Sequence, residues 1–271
     1  MSSPAEAAAS LKPRIVKGIN WIGLYTMTRK EVVRFSKVYL QTVVAPVITT
    51  ALFYLVFSVS SGGQGRGLEG VPYMTFLLPG LVMMGVAQNA FANTSSSIII
   101  AKVQGSIVDV LMPPLSAGEL LTAYALGGVL RGLAVGAFSI LIMVPFAHLP
   151  IAHIWAIVAY GFLGSLLLAL LGLVTGIWAE KFDHLAGVTN FIIMPLTMLS
   201  GTFYAAEHLP PAFAFLAHAN PFFYMIDGFR YGFIGVADMP LGNGLLLLAG
   251  LSIALWMVAL AMLKTGYKIR S

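Results

Sequence analysis

Charges are absent from very long stretches of this chain, and that absence governs what it can fold into. No charged side chain lies between Glu69 and Lys102, between Arg131 and Glu180, or between Asp238 and Lys264. Between Ser36 and Glu69 the only charges are Lys37 and Arg66. A bilayer core about 30 Å thick needs about 20 apolar residues at roughly 1.5 Å rise each. A soluble surface must be wetted and normally carries about 25% charged residues, whereas this chain carries 9%. The pattern predicts an all-α membrane protein. Its 271 residues leave room for one membrane domain and too little for a sizeable soluble one besides. No cysteine is present, which excludes disulfides, thiolate catalysis and cysteine-bound metals. The first twenty residues lack a continuous apolar run, so no cleavable signal peptide is expected. The net charge of +5 sits beside the apolar segments, where it reads as a topology signal and not as a nucleic-acid surface.

Six spans are predicted, near residues 39–60, 72–97, 120–147, 154–178, 185–204 and 243–263. The uncharged region 132–179 is too long for one helix and divides where Pro145 and Pro150 mark a tight turn. Six spans put both termini on one side. Of the 15 Lys and Arg, only Arg66 and Arg230 fall on the opposite side, so the termini are expected in the cytoplasm.

Two segments do not read as spans. In 21–39, Trp21, Leu24, Tyr25, Val32, Phe35 and Tyr39 share one helical face, with Lys30, Arg34 and Lys37 on the other. Aromatic rings with a basic opposite face describe a helix lying in the cytoplasmic interface; the alternative is an amphipathic helix packed on protein. The segment 205–238 is apolar and aromatic but split by Pro210–Pro211 and by Asn220–Pro221. Asn220 suits an N-cap and Pro221 the first helical position. Two short re-entrant or interfacial helices on the outer side are expected, or else a surface loop with snorkelling aromatics.

No catalytic constellation stands out. There is no Gly-x-x-x-x-Gly-Lys-Ser/Thr phosphate loop. Ser61–Gly62–Gly63–Gln64 matches an ATPase signature in letters only, and reads as a flexible connection in a short outer loop. His148, His153, His184, His208 and His218 show no paired metal-ligand spacing. An intramembrane serine protease would need Ser165 or Ser200 with His184 or His208. Ser200 and His184 sit about 24 Å apart along one helix, far outside hydrogen-bond reach. An ion-coupled transporter would place a carboxylate inside the bundle, yet all 10 acidic residues fall outside the predicted spans. Asp227 and Arg230 come nearest, and at i,i+3 they are expected to pair with each other. Arg131 alone lies within a span, near its inner end, where snorkelling accounts for it without a functional role.

Polar side chains inside the spans are more informative. Gln88, Asn89, Asn93 and Thr94 are followed by Ser95, Ser96 and Ser97, and Asn89, Asn93 and Ser96 share a face. Asn190, Thr197 and Gly201 share another. Such stripes either pack helices together or line a transport path. In the loop 102–120, Ile107, Val108, Val110, Leu111 and Met112 surround Asp109, and Pro113–Pro114 ends the run. A short apolar helix there either meets a partner or rests on lipid.

The runs FLLPGLVMMGVAQNAFANTSSSIIIAKVQGSIVDVLMPPLSAGELL (76–121), FDHLAGVTNFIIMPLTMLSGTFYAAEHLPP (182–211) and NPFFYMIDGFRYGFIG (220–235) carry a resemblance. The chain resembles the membrane subunit of ABC type-2 exporters, in the branch of the YadH-like and NodJ-like bacterial permeases. The resemblance implies six transmembrane helices, an N-terminal interfacial connecting helix, a cytoplasmic coupling helix and two short re-entrant helices before the last span. It divides the chain into a flexible cytoplasmic N-terminus (1–20), the connecting helix (21–38, with Arg29, Lys30 and Arg34) and a six-helix domain (39–271). It implies a homodimer in a bacterial inner membrane, each copy docking a separate ATP-binding subunit through Gln104, Ile107, Asp109, Val110, Leu111 and Met112. ATP and Mg are then expected on that subunit, and no cofactor on this chain. The implied cargo is an amphipathic glycan, lipid-linked glycan, lipid or drug. Gln88, Asn89, Asn93, Asn190 and Thr197 are the expected path residues.

Overall fold

The computed structural model describes residues 18–61, 70–147, 149–204, 215 and 219–269. The helices are α1 (Trp21–Lys37), α2 (Ala45–Ser61), α3 (Tyr73–Val103), α4 (Ile107–Leu111), α5 (Ala117–Met143), α6 (Ile154–Trp178), α7 (Phe182–Val188), α8 (Met194–Met198), α9 (Pro221–Ile234) and α10 (Leu241–Thr265). A π-helical turn, Leu40–Val44, leads into α2, and another, Thr189–Ile193, joins α7 to α8. The 1–17 tail, the loop with Ser61–Gln64, His148, and the first expected short helix with its His208 and His218 lie outside the described residues, the Ser61 backbone excepted.

Among the described residues, five helices are long and apolar enough to cross a bilayer: Leu40–Ser60, Tyr73–Val103, Ala117–Met143, Ile154–Trp178 and Leu241–Thr265. They fall where five of the expected spans were drawn. The expected span 185–204 is different. Its helical run covers α7, the π-turn and α8 and ends at Met198, with Gly201 in the left-handed region at φ 71°. Pro195 explains the break, because it has no N–H to give the carbonyl four residues back, and a wider turn absorbs the missing bond. Pro46 stands in the same relation to the turn Leu40–Val44.

The third helix is the axis of the bundle. Its most apolar stretch is 78% buried, against 17% for α10 and 22% for the helix containing α2. Glycines let its neighbours approach. A Cβ on Gly128, Gly132 or Gly136 of α5 would stand 2.6 to 2.8 Å from Ala169, Val86 or Val86 again. On α6, a Cβ on Gly172 would stand 2.4 Å from the Phe91 carbonyl and from Thr94 Oγ1. Small residues four apart are how membrane helices gain close backbone packing where no hydrophobic force separates lipid from protein. Thr94 uses that proximity to donate to the Ala169 carbonyl at 2.7 Å.

The first helix splits the expected aromatic face. Met27, Glu31 and Phe35 are its buried residues. Trp21, Tyr25 and Tyr39 point away from the protein, Trp21 being 68% exposed. The packed face is thus turned about a quarter of the way round from the aromatic stripe, at 100° per residue. One side of the helix packs on protein and the adjacent aromatic side is exposed.

Helix ends follow local chemistry. Ser116 and Glu119 form a reciprocal capping box at the start of α5. Asn220 caps α9 by accepting from the Phe222 N–H at 3.0 Å, with Pro221 at the first helical position as expected. The ninth helix packs on α6, α3 and α10.

Candidate functional site

From Gly85 to Ile100, α3 is buried everywhere except at Gly85, Gln88, Ala92, Ser96 and Ile100. Their spacing of three and four puts them on one face. Two grooves border this open stripe. One of about 260 Å³ lies toward α2 and is lined by Gln41, Thr49, Thr50, Phe53, Gln88 and Asn89, among others. The other, about 330 Å³, lies toward α7 and α8 and is lined by Gln88, Asn89, Ala92, Ser96, Thr189, Ile193 and Met194, among others. The helices on either side of the stripe are the two that carry π-turns followed by proline. Both bury little of their surface, and Phe191 on the second turn is 83% exposed.

The expected path residues divide accordingly. Gln88 and Asn89 line both grooves. Asn93 faces away from the stripe and is fully buried. Asn190 is exposed on the second π-turn. Thr197 is buried, its hydroxyl donating to the Ile193 carbonyl of its own helix.

Arg131 does not snorkel. Its Nη2 donates to Asn89 Oδ1 at 3.0 Å, and its Nε is buried without a partner among the described residues. A second polar cluster lies deeper along α3. Glu31 of α1 is 1% exposed, and its Oε1 accepts from Ser97 Oγ at 2.8 Å. Arg34 donates to Glu31 Oε2 at 2.8 Å and to the Asn93 carbonyl and Oδ1 at 2.8 and 2.9 Å. Of the expected connecting-helix cations, Arg34 is therefore turned inward, while Arg29 and Lys30 are exposed. Glu31 was invisible as a site in the chain alone, since one acid among basic residues reads as a solvated face.

Beyond α3, the short helix α4 stands at the end of the bundle. Val110 is buried with Leu120, Leu121 and Tyr124, and Ile107 is half-buried against the same cluster. Val110 and Ile107 thus anchor the short helix to the bundle. Val108, Asp109, Leu111 and Met112 face outward, Met112 being 75% exposed, and Gln104 before the helix is exposed too. Asn20 ties this end together. Its N–H donates to Glu119 Oε1 at 2.5 Å and its side-chain amide to the Pro114 carbonyl at 3.1 Å.

At the opposite end, Asp227 and Arg230 do not bond to each other. Asp227 accepts from the backbone N–H groups of Asp238 and Met239 at 2.9 and 3.1 Å. Arg230, fully buried, donates to the carbonyls of Phe76 and Gly201 at 3.2 and 2.6 Å and lies 3.7 Å from the centre of the Phe76 ring. Each charge holds backbone from another segment. Ser165 donates to the Phe162 carbonyl at 2.9 Å, and Ser200 bonds Thr197 and Thr202, so neither is directed at a histidine.

The ABC-2 type transporter family matches residues 23–234. The chain is 38% identical over 252 residues to the inner membrane transport permease YadH of Escherichia coli K12, covering 93% of this chain and 98% of that one. It is 23% identical over 237 residues to nodulation protein J of Rhizobium leguminosarum bv. viciae, covering 84% and 88% respectively.

Proposed function

The chain belongs to the ABC-2 type transporter family, and from that premise we propose that it is the membrane permease subunit of an ATP-driven exporter. Two copies form the pathway. The α4 end faces the cytoplasm, with both termini, and docks a separate ATP-binding subunit. The α3 stripe of each copy, flanked by the π-turn helices, lines the route of an amphipathic cargo. The broken run α7–α8 completes the sixth crossing, and α9 is the second of two re-entrant helices at the outer side.

The observation that carries this reading is α4. A helix of one turn sits past the end of the most buried span and shows Val108, Leu111 and Met112 outward, in a chain with no phosphate loop of its own. Apolar side chains held rigidly at a polar end are suited to a protein partner. Motion of that partner biases a packed bundle between two arrangements.

The test is Leu111→Arg in the chain purified with its ATPase. The variant inserts and dimerises normally, because Leu111 is not part of the buried cluster, but loses the ATPase or its stimulation. Unchanged ATPase binding and unchanged transport would contradict the docking role.

One observation favours ion-coupled transport instead, the buried carboxylate of Glu31. Its ion pair with Arg34 argues for a fixed charge, because a relay needs a carboxylate free to take up and release its ion.

A further inference from the structure

The first helix packs on α5, with Met27 in the apolar cluster around Tyr124, and is pinned besides at two polar places. Its start is fixed by Asn20 to Glu119 in the first turn of α5 and to Pro114 in the turn that follows α4. Its middle is fixed by Glu31 and Arg34, whose bonds outside α1 all go to α3, at Asn93, Ser96 and Ser97. The third helix in turn runs through Gln104–Ser106 into α4. Helices α1, α3 and α4 therefore close a triangle whose corners are the Asn20 joint, the Glu31–Arg34 clasp and the Gln104 turn.

An ion pair with its carboxylate buried, as here, is a poor way to gain stability, because an apolar replacement of the same shape often serves as well or better. Its best-attested use is to fix register between packed elements. Room has been left for it. Gly127 of α5 faces Glu31, and a Cβ there would stand 2.6 Å from the Glu31 Cβ. On α3, Asn93, Ser96 and Ser97 offer the amide and hydroxyl groups that make the clasp the link between α1 and α3.

We propose that Glu31, held by Arg34, is the positioning residue that transmits movement of the α4 end to α3, and through α3 to the Gln88–Ala92–Ser96 stripe. This rests on the exporter reading above. Without the carboxylate, α1 keeps its packing on α5 and its Asn20 joint but loses its hold on α3, so nucleotide is turned over without moving the pathway.

The chain contains no cysteine, so a single Met74→Cys places one spin label per copy at the far end of α3. The distance between the two labels is measured by pulsed electron resonance in the complex with the ATPase, nucleotide-free and with ATP and vanadate. In Glu31→Gln, which keeps the shape and loses the charge, we expect the complex and its ATP hydrolysis to persist within about twofold. The nucleotide-driven change in distance falls by more than half. Glu31→Gln with Asn93→Asp returns a carboxylate to Arg34 from the α3 side and recovers the change. A change of wild-type size in Glu31→Gln overturns the proposal. So does loss of the assembled complex in that variant, which would make Glu31 a folding residue. Absence of any nucleotide-driven change with Glu31 in place, or of an ATPase to purify with, counts against the exporter reading itself.

Discussion

Arg131 and Asn89 meet at 3.0 Å across the α3–α5 contact, beside the open stripe. The guanidinium orients an amide that lines both grooves, and Asn89 gives its own N–H to the Gly85 carbonyl at 3.0 Å. A bond from a charged donor is worth about 1.5–3 kcal/mol in partly buried settings. Arg131→Met is expected to cost about 1–2 kcal/mol in thermal unfolding in detergent, toward the low side of that range because Arg131 keeps some solvent contact. Arg131→Lys recovers less than half of it, since a single ammonium does not reproduce a planar fork. The cycle with Asn89→Ala shows coupling of about 1 kcal/mol.

Gly172 is the tightest of the glycine contacts on α3 with backbone. Gly172→Val pushes a side chain into the Phe91 carbonyl and displaces the Thr94 hydroxyl from Ala169. Overpacking with loss of a buried bond is expected to cost about 3 kcal/mol or more. Gly187→Val meets open space and serves as the control. Melting temperature in detergent, compared between the two, checks this.

Much of this arrangement was legible in the chain and some of it was not. Span boundaries follow from charges that cannot enter the bilayer, so five of them emerged nearly intact. Pro46 and Pro195 were visible, but each breaks its ladder by a π-turn, and that choice depends on how the neighbouring turn is packed. Gly128, Gly132 and Gly136 form a readable stripe whose partner, α3, is a matter of tertiary contact. Glu31 gave no local sign. Its neighbours Lys30 and Arg34 make it look like a member of a solvated face, and only the approach of Ser97 from a distant helix reveals a buried acid. The same gap explains Arg131 and the Asp227–Arg230 pair, where backbone carbonyls and N–H groups outcompeted the charges near in sequence.

Arg230 staples three segments at the end of the bundle opposite α4. Replacing it with Met leaves the Phe76 and Gly201 carbonyls without their donor, at about 2–4 kcal/mol. Arg230→Lys is expected to lie closer to Met than to Arg, because one ammonium cannot reach both carbonyls and stack on Phe76. Chemical denaturation in micelles distinguishes the three.

Beyond α10, Lys268 pairs with Glu180 at 2.7 Å and holds the chain against the end of α6. Hydrogen bonding to Lys268, and then its charge, hold the Glu180 carboxyl below its usual range, while Glu180 raises the Lys268 ammonium. A depressed acid stabilises above its unfolded value and loses that contribution as pH falls through its folded value. The raised lysine loses its contribution as pH climbs through its own folded value. A spin label at Tyr267→Cys is therefore expected to be restrained at neutral pH, freer under acid and under strong base. Glu180→Gln removes the acid limb, and its persistence in that variant would contradict the assignment.

The central claim is that this chain is one half of an ATP-driven machine, and co-purification tests it most directly. The tagged chain is extracted from its own membrane in mild detergent, and mass spectrometry identifies what comes with it. The account predicts a stoichiometric phosphate-loop ATPase whose hydrolysis depends on both chains and is lost from the complex on Leu111→Arg. A chain that purifies with no ATPase, even after crosslinking in the membrane, would contradict it.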